Sequence, residues 1–297
     1  MHKIRTVAVL PTMFTLANLV CGFFAIVVAA RVERPETAEV QHSTKIGTIN
    51  PIKAMGKLEA DDPSHNCMLS GWLIFLAMIF DALDGHVARL SKATSDFGAQ
   101  LDSLCDLVTF GVAPAFLMVK MCPSFTFAHK DAVWVIAAAF AACAAMRLAR
   151  FNVETDDNDD HFNFTGLPSP GAAAAVASFA ILFYTLRQDG SSLSFIGLEA
   201  IDIDKVDKVM QNVLPFFAML TALLMVSRIP YPHVVNQLFS GQRSFGHLVT
   251  VVFALLLVMI VRGYSVPLIS GFFVFQGPVR YLWQEYVQRK PHEDPLF

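Results

Sequence analysis

The stretch Asp81-Ala82-Leu83-Asp84-Gly85-His86-Val87-Ala88-Arg89, followed eight residues later by Gly98-Ala99-Gln100-Leu101-Asp102-Ser103-Leu104-Cys105-Asp106, places four carboxylates where two apolar runs meet. Apart from its two aspartates, Cys67–Leu90 is charged only at Arg89, and Phe97–Val119 carries no charge besides its own two. Each run reaches the ~20 mostly apolar residues that crossing a bilayer requires. Thr94, Ser95 and Asp96 make the turn between them, so the pair reads as a tight helical hairpin with its acids near the closed end.

The same pattern repeats along the chain. Of its 297 residues 55% are hydrophobic and 16% charged, against about 25% charged in soluble proteins. Eight segments read as membrane helices: Val7–Ala30, Cys67–Leu90, Phe97–Val119, Ala132–Arg150, Gly166–Leu186, Val213–Ser227, Gly246–Val261 and Ser265–Leu282. In lipid every backbone polar group must be satisfied within the segment or in a closed barrel, and these runs lack the alternation of barrel strands. The expected fold is therefore all-α, a polytopic transmembrane bundle of about eight helices forming a single domain over residues 1–297. Val32–Asn66 and Gln188–Asn212 are polar enough to be extramembrane loops.

The first segment is uncharged from Thr6 to Ala30, longer than the apolar core of a secretory signal, and reads as a retained helix. Net charge is −3 with no basic cluster, which argues against a nucleic-acid partner. The five cysteines, at 21, 67, 105, 122 and 143, lack CxxC spacing and mostly fall in apolar segments, where they serve as small core residues.

Ionisable groups within membrane segments mark function, because an unpaired charge in lipid is expensive. At 100° per residue, Asp84, Gly85 and Ala88 lie within about 60° of Asp81 on one helix face. Gly98, Asp102 and Asp106, each four residues apart, form a stripe on the next helix. Two acidic stripes facing each other suit hard divalent cations, Mg²⁺, Mn²⁺ or Ca²⁺, rather than zinc. A pair of such ions can clamp the attacking and leaving oxygens of a phosphoryl displacement. Gly85 and Ala88 leave room for a ligand against the helix. Salt bridging alone does not account for the cluster, since Arg89 and Lys92 cannot neutralise five acids with Asp96 included.

The pattern D-x2-D-G-x2-A-R-x8-G-x3-D-x3-D, matched here at every fixed position, resembles the signature of the CDP-alcohol phosphotransferase family over residues 81–106. Further short stretches are similar to the phosphatidylserine synthase branch. They are Leu10-Pro11, Phe14-Thr15-Leu16-Ala17-Asn18-Leu19, Cys21-Gly22-Phe23, Ala149-Arg150-Phe151-Asn152, Gly166-Leu167-Pro168-Ser169-Pro170 and Ser227-Arg228-Ile229-Pro230-Tyr231-Pro232. Thr12 departs from that branch, where asparagine follows the proline.

The resemblance implies transfer of a phosphatidyl group from CDP-diacylglycerol to L-serine with release of CMP, assisted by two Mg²⁺ or Mn²⁺ ions. It assigns metal ligation to Asp81, Asp84, Asp102 and Asp106, and the general-base role to Asp106. It places Gly85, Ala88, Arg89 and Gly98 along the CDP site, Arg89 offering a guanidinium fork to phosphate. Arg147, Arg150 and Arg228, which end apolar segments on one membrane side, are candidates for the acceptor's carboxylate. The resemblance also implies an integral protein of the cell's inner membrane with its site facing the cytoplasm, where CTP is made, although positive charge divides evenly between the two sides. A homodimer is compatible with the sequence.

Two other readings remain open at this point. Glycerol phosphate, inositol phosphate or an amino alcohol could replace serine as acceptor. A cation transporter would also keep acids within membrane helices, but would spread them through the bilayer depth instead of gathering them at one hairpin.

Overall fold

A computed structural model describes residues 6–32, 63–91, 96–123, 125, 131–156, 166–188, 203–231 and 262–286. Eight α-helices carry them: α1 (Thr6–Ala30), α2 (Pro63–Ser91), α3 (Asp96–Asp106), α4 (Ala113–Met121), α5 (Ala132–Asp156), α6 (Ser169–Gln188), α7 (Ile203–Val226) and α8 (Ser265–Tyr286). Helix α3 continues through a π-helical turn, Leu107–Val112, directly into α4, so these elements form one rod.

Six helices among the described residues are long and apolar enough to span a membrane: Thr12–Ala30, Pro63–Gly85, Phe97–Met121, Ala132–Val153, Ser169–Leu186 and Lys205–Val226. The chain is thus an all-α integral membrane protein. The expected count of eight is not confirmed among the described residues. Gly246–Val261 lies outside the described residues. Helix α8 forms where Ser265–Leu282 was expected, but Ser265, Ser270, Gln276 and Arg280 leave it less apolar than the other six.

The expected loops also shrink at their ends. Helix α2 starts at Pro63, and α7 already covers residues 203–212, because its polar first turns remain helical ahead of the apolar stretch. Asp96, expected in the hairpin turn, is the first residue of α3, while residues 92–95 lie outside the described set.

Small residues draw the helices together. Lipid tails are as apolar as leucine, so association rests on close packing and interhelical hydrogen bonds. Helix α1 lies along α2, where Ser70 donates to the Ala25 carbonyl at 2.9 Å. Helix α2 in turn meets α6, and a Cβ on Gly71 would stand 3.0 Å from the Ala177 carbonyl oxygen. Helix α8 joins α6 through a 3.0 Å hydrogen bond from Ser270 to Ser178. Phe110, Leu117, Met118 and Phe140 are fully buried between these elements, whereas Phe23, Phe272 and Trp283 face outward, as lipid-exposed side chains do.

The π-helical turn follows from local sequence. The Ala113 amide donates to the Val108 carbonyl, five residues back, and Pro114 has no amide proton with which to restore the tighter ladder. The turn buries Thr109, Phe110 and Gly111, and Gly111 packs against Ala144 of α5.

Gly166 has φ +91°, a conformation glycine adopts without steric cost. Its amide donates to the Ile229 carbonyl, and that of Leu167 to the Leu224 carbonyl, both at 2.9 Å, strapping the start of α6 to the end of α7. A methyl group at Gly166 would stand 2.5 Å from the Met225 oxygen. Gly166→Ala should therefore destabilise the protein by about 1–3 kcal/mol, read as a lower melting temperature in detergent. An unchanged melting temperature would show that the strap is not tight.

Candidate active site and metal centre

Helices α2 and α3 bring three carboxylates to one point. Asp81, Asp102 and Asp106 offer oxygens that all lie within 4.8 Å of one another. Asp81 and Asp102 are half-buried and Asp106 is buried. Asp84, one turn further along α2, stands outside this trio. It is buried at 6% exposure, accepts a hydrogen bond from the Thr15 hydroxyl of α1, and lies within electrostatic reach of Asp81 and Asp102.

Like charges this close repel strongly in a low-dielectric setting. Arg147 of α5 supplies one positive charge, acting on both Asp106 and Asp81 while it donates to Ser169 Oγ at 2.7 Å. Among the described side chains, that single guanidinium does not balance four carboxylates. Among the described residues this cluster gathers carboxylate oxygens without sulfur or imidazole, the donor set of Mg²⁺ or Mn²⁺, so the residues present fit a divalent ion.

Of the residues expected along the CDP side, the structure describes the surroundings of Gly85 and Gly98. Among the described residues, no atom beyond its chain neighbours and its own helix backbone lies within 4 Å of where a Cβ on Gly85 would stand, so that side of α2 is open there. Gly98 sits half-buried on α3. The Ala88 and Arg89 side chains lie outside the described residues, although both positions belong to α2.

The three candidate arginines separate by what they touch. Arg147 stands at the acids. Arg150 donates to the Val226 carbonyl at 3.0 Å, satisfying the end of α7 where carbonyls lack helical partners. Arg228, just beyond that helix end, is exposed. The strap at Gly166 thus joins two distant stretches, Gly166-Leu167-Pro168-Ser169 and Ser227-Arg228-Ile229-Pro230-Tyr231, beside the third, Ala149-Arg150-Phe151-Asn152. Tyr231 closes the group by donating to the Val274 carbonyl of α8 at 3.0 Å.

Sequence reasoning assigned no role to α1, yet it touches both acidic helices. Asn18 Nδ2 donates to Asp106 Oδ1 at 2.8 Å, and Thr109 of the π-helical turn donates to the Asn18 carbonyl at 3.3 Å. A signal existed: Thr15, Asn18 and Gly22 recur at helical spacing within an uncharged, otherwise apolar run.

The chain belongs to the CDP-alcohol phosphatidyltransferase family, whose sequence profile matches residues 8–226. Several relatives with assigned names are similar to it. A CDP-diacylglycerol–serine O-phosphatidyltransferase of Helicobacter pylori is 30% identical over 222 residues, 74% of this chain and 82% of the relative. One from Methanocaldococcus jannaschii is 35% identical over 167 residues, 56% of this chain and 65% of its own length. The archaetidylserine synthase of Methanothermobacter thermautotrophicus is 34% identical over 165 residues, 54% and 57% of the two chains. A second Helicobacter pylori serine O-phosphatidyltransferase is 34% identical over 172 residues, and the match spans 63% of its length.

Proposed function

We propose that this protein transfers the phosphatidyl group of CDP-diacylglycerol to L-serine, giving phosphatidylserine and CMP. The observation that carries the reading is the trio Asp81, Asp102 and Asp106, gathered from two membrane helices beside the open face at Gly85. A transporter would line a path with its acids, whereas these converge on one point. The names of the relatives support serine as the acceptor.

Asp81, Asp84, Asp102 and Asp106 would hold the divalent ions. Bound there, these would neutralise the diphosphate and the charge that builds on departing CMP. Asp106 takes the proton of the serine hydroxyl as its oxygen attacks the lipid-bearing phosphorus, and the bond from that phosphorus to the CMP oxygen breaks. Arg147 limits repulsion within the acid cluster and is itself oriented by Ser169. Gly85, Ala88, Arg89 and Gly98 line the CDP side of the site. The site faces the cytoplasm of a cell whose inner membrane holds the protein.

The deciding experiment incubates purified protein with CDP-diacylglycerol, Mn²⁺ or Mg²⁺, and a panel of acceptors, reading CMP release. Serine should react fastest. Faster reaction with glycerol phosphate or inositol phosphate would move the assignment to another acceptor, and ion flux without CMP release would favour transport. Exhaustive chelation should remove activity and either ion restore it, since four neighbouring carboxylates otherwise repel one another and take up protons. Turnover undiminished by chelation would defeat the metal reading.

Arg228 is the exposed one of the three arginines and the one best able to meet a soluble acceptor. Arg228→Ala should raise the KM for serine by roughly tenfold or more, the worth of a charge-assisted hydrogen bond, and leave donor affinity intact. An unchanged serine KM would return the carboxylate contact to Arg147 or Arg150.

A further inference from the structure

Helix α1 presents one stripe to both acidic helices. Thr15 donates to Asp84, Asn18 donates to Asp106, and Gly22 packs on Thr109 so closely that any side chain there would collide with it. These positions are three and four residues apart and so share a helix face. Thr109 belongs to the turn that begins immediately after Asp106, and its hydroxyl also holds the Asn18 carbonyl. Asn18 and Asp106 are thereby locked in register from both sides.

Asn18 is 0% exposed, so its amide is shielded from bulk solvent. The amide nitrogen faces Asp106, the orientation that a carboxylate acting as base needs, since in its ionised form it accepts and cannot donate. The remaining atom, Asn18 Oδ1, is buried without a hydrogen-bond partner among the described residues. An apolar residue at this position would avoid that unsatisfied acceptor. The presence of asparagine beside the proposed base is explained if the amide is needed there.

We propose that Asn18 is the positioning residue of Asp106. Its amide occupies Oδ1 of the carboxylate, which aims the other oxygen at the incoming alcohol and keeps the side chain in one rotamer. This rests on the transferase reading above, in which Asp106 takes the hydroxyl proton. Asn18 itself touches neither reacting atom. Its effect should therefore fall on turnover and spare donor binding.

The test compares wild type with Asn18→Gln and Asn18→Met, near-isosteric side chains of which only glutamine can donate. The full-length protein is assayed with Mn²⁺ for CDP-diacylglycerol affinity, kcat and KM for serine, and melting temperature. Asn18→Met should lose roughly 10- to 100-fold in kcat, with donor affinity and melting temperature close to wild type, and Asn18→Gln should recover most of that loss. Equal kcat in the two variants would overturn the proposal, as would a loss confined to donor affinity, which would make Asn18 part of the donor or metal site. Should Asn18→Met fail to fold, Asn18→Ala, which adds no bulk, takes its place, and equal kcat or a loss confined to donor affinity overturns the proposal there too. Absence of CMP release from the wild type would instead overturn the transferase reading.

Discussion

Asp81→Asn and Asp102→Asn should each reduce CMP release to below about 1% of wild type at fixed Mn²⁺, because each removes one of three charges that converge within 4.8 Å. Asparagine keeps the size of the side chain and one carbonyl oxygen, so the bundle should survive while cation affinity falls. The expected signature is weaker binding of both the ion and the CDP donor, partly recovered by raising Mn²⁺. Cys105→Ala is the control. Cys105 is buried on the same helix but offers no hard oxygen, and its replacement should change the rate little. Near-normal turnover in both aspartate variants would remove the metal centre from the mechanism.

Asp106→Asn should separate the base from its neighbours. If the main task of Asp106 is to accept the serine proton, turnover should fall roughly 10²- to 10⁴-fold, the usual worth of general base catalysis. CDP-diacylglycerol affinity should stay closer to wild type than in Asp81→Asn. Asp106 is the member of the trio that receives the Asn18 amide, and it is the most deeply buried of the three. Both features suit a group whose orientation matters as much as its charge. Donor affinity as poor as in Asp81→Asn, with turnover regained at high metal, would identify Asp106 as chiefly a ligand. The base would then lie elsewhere.

These two results and the Asn18 comparison bear on different links. The Asp81 and Asp102 variants test whether the acids bind a cation, and Asp106 tests which of them handles the proton. Asn18 tests what aims it. A single assay with donor affinity and turnover measured separately reads all three.

Much of this architecture is legible in the sequence. A helix repeats every 3.6 residues, so the spacing of Asp81 with Asp84 and of Asp102 with Asp106 already puts each pair on one face. The length of the apolar runs requires helices, and the helices place those faces together. Six of the eight expected spans appear among the described residues, with the clearest departures at polar helix starts such as residues 203–212, where a polar sequence need not be a loop.

What sequence alone determined, then, was the membrane class and the identity of the acidic residues, because both depend on composition and on spacing within a single helix. The tertiary structure decided the relations between helices. It set Asp84 apart from the trio and gave it Thr15, divided Arg147 from Arg150, and joined Gly166 to Ile229. It also brought Asn18 to Asp106, 88 positions away in the chain. No local periodicity encodes such a pair. The contact depends on how closely Gly22 lets α1 approach the turn at Thr109, and that distance is settled only when their surfaces pack.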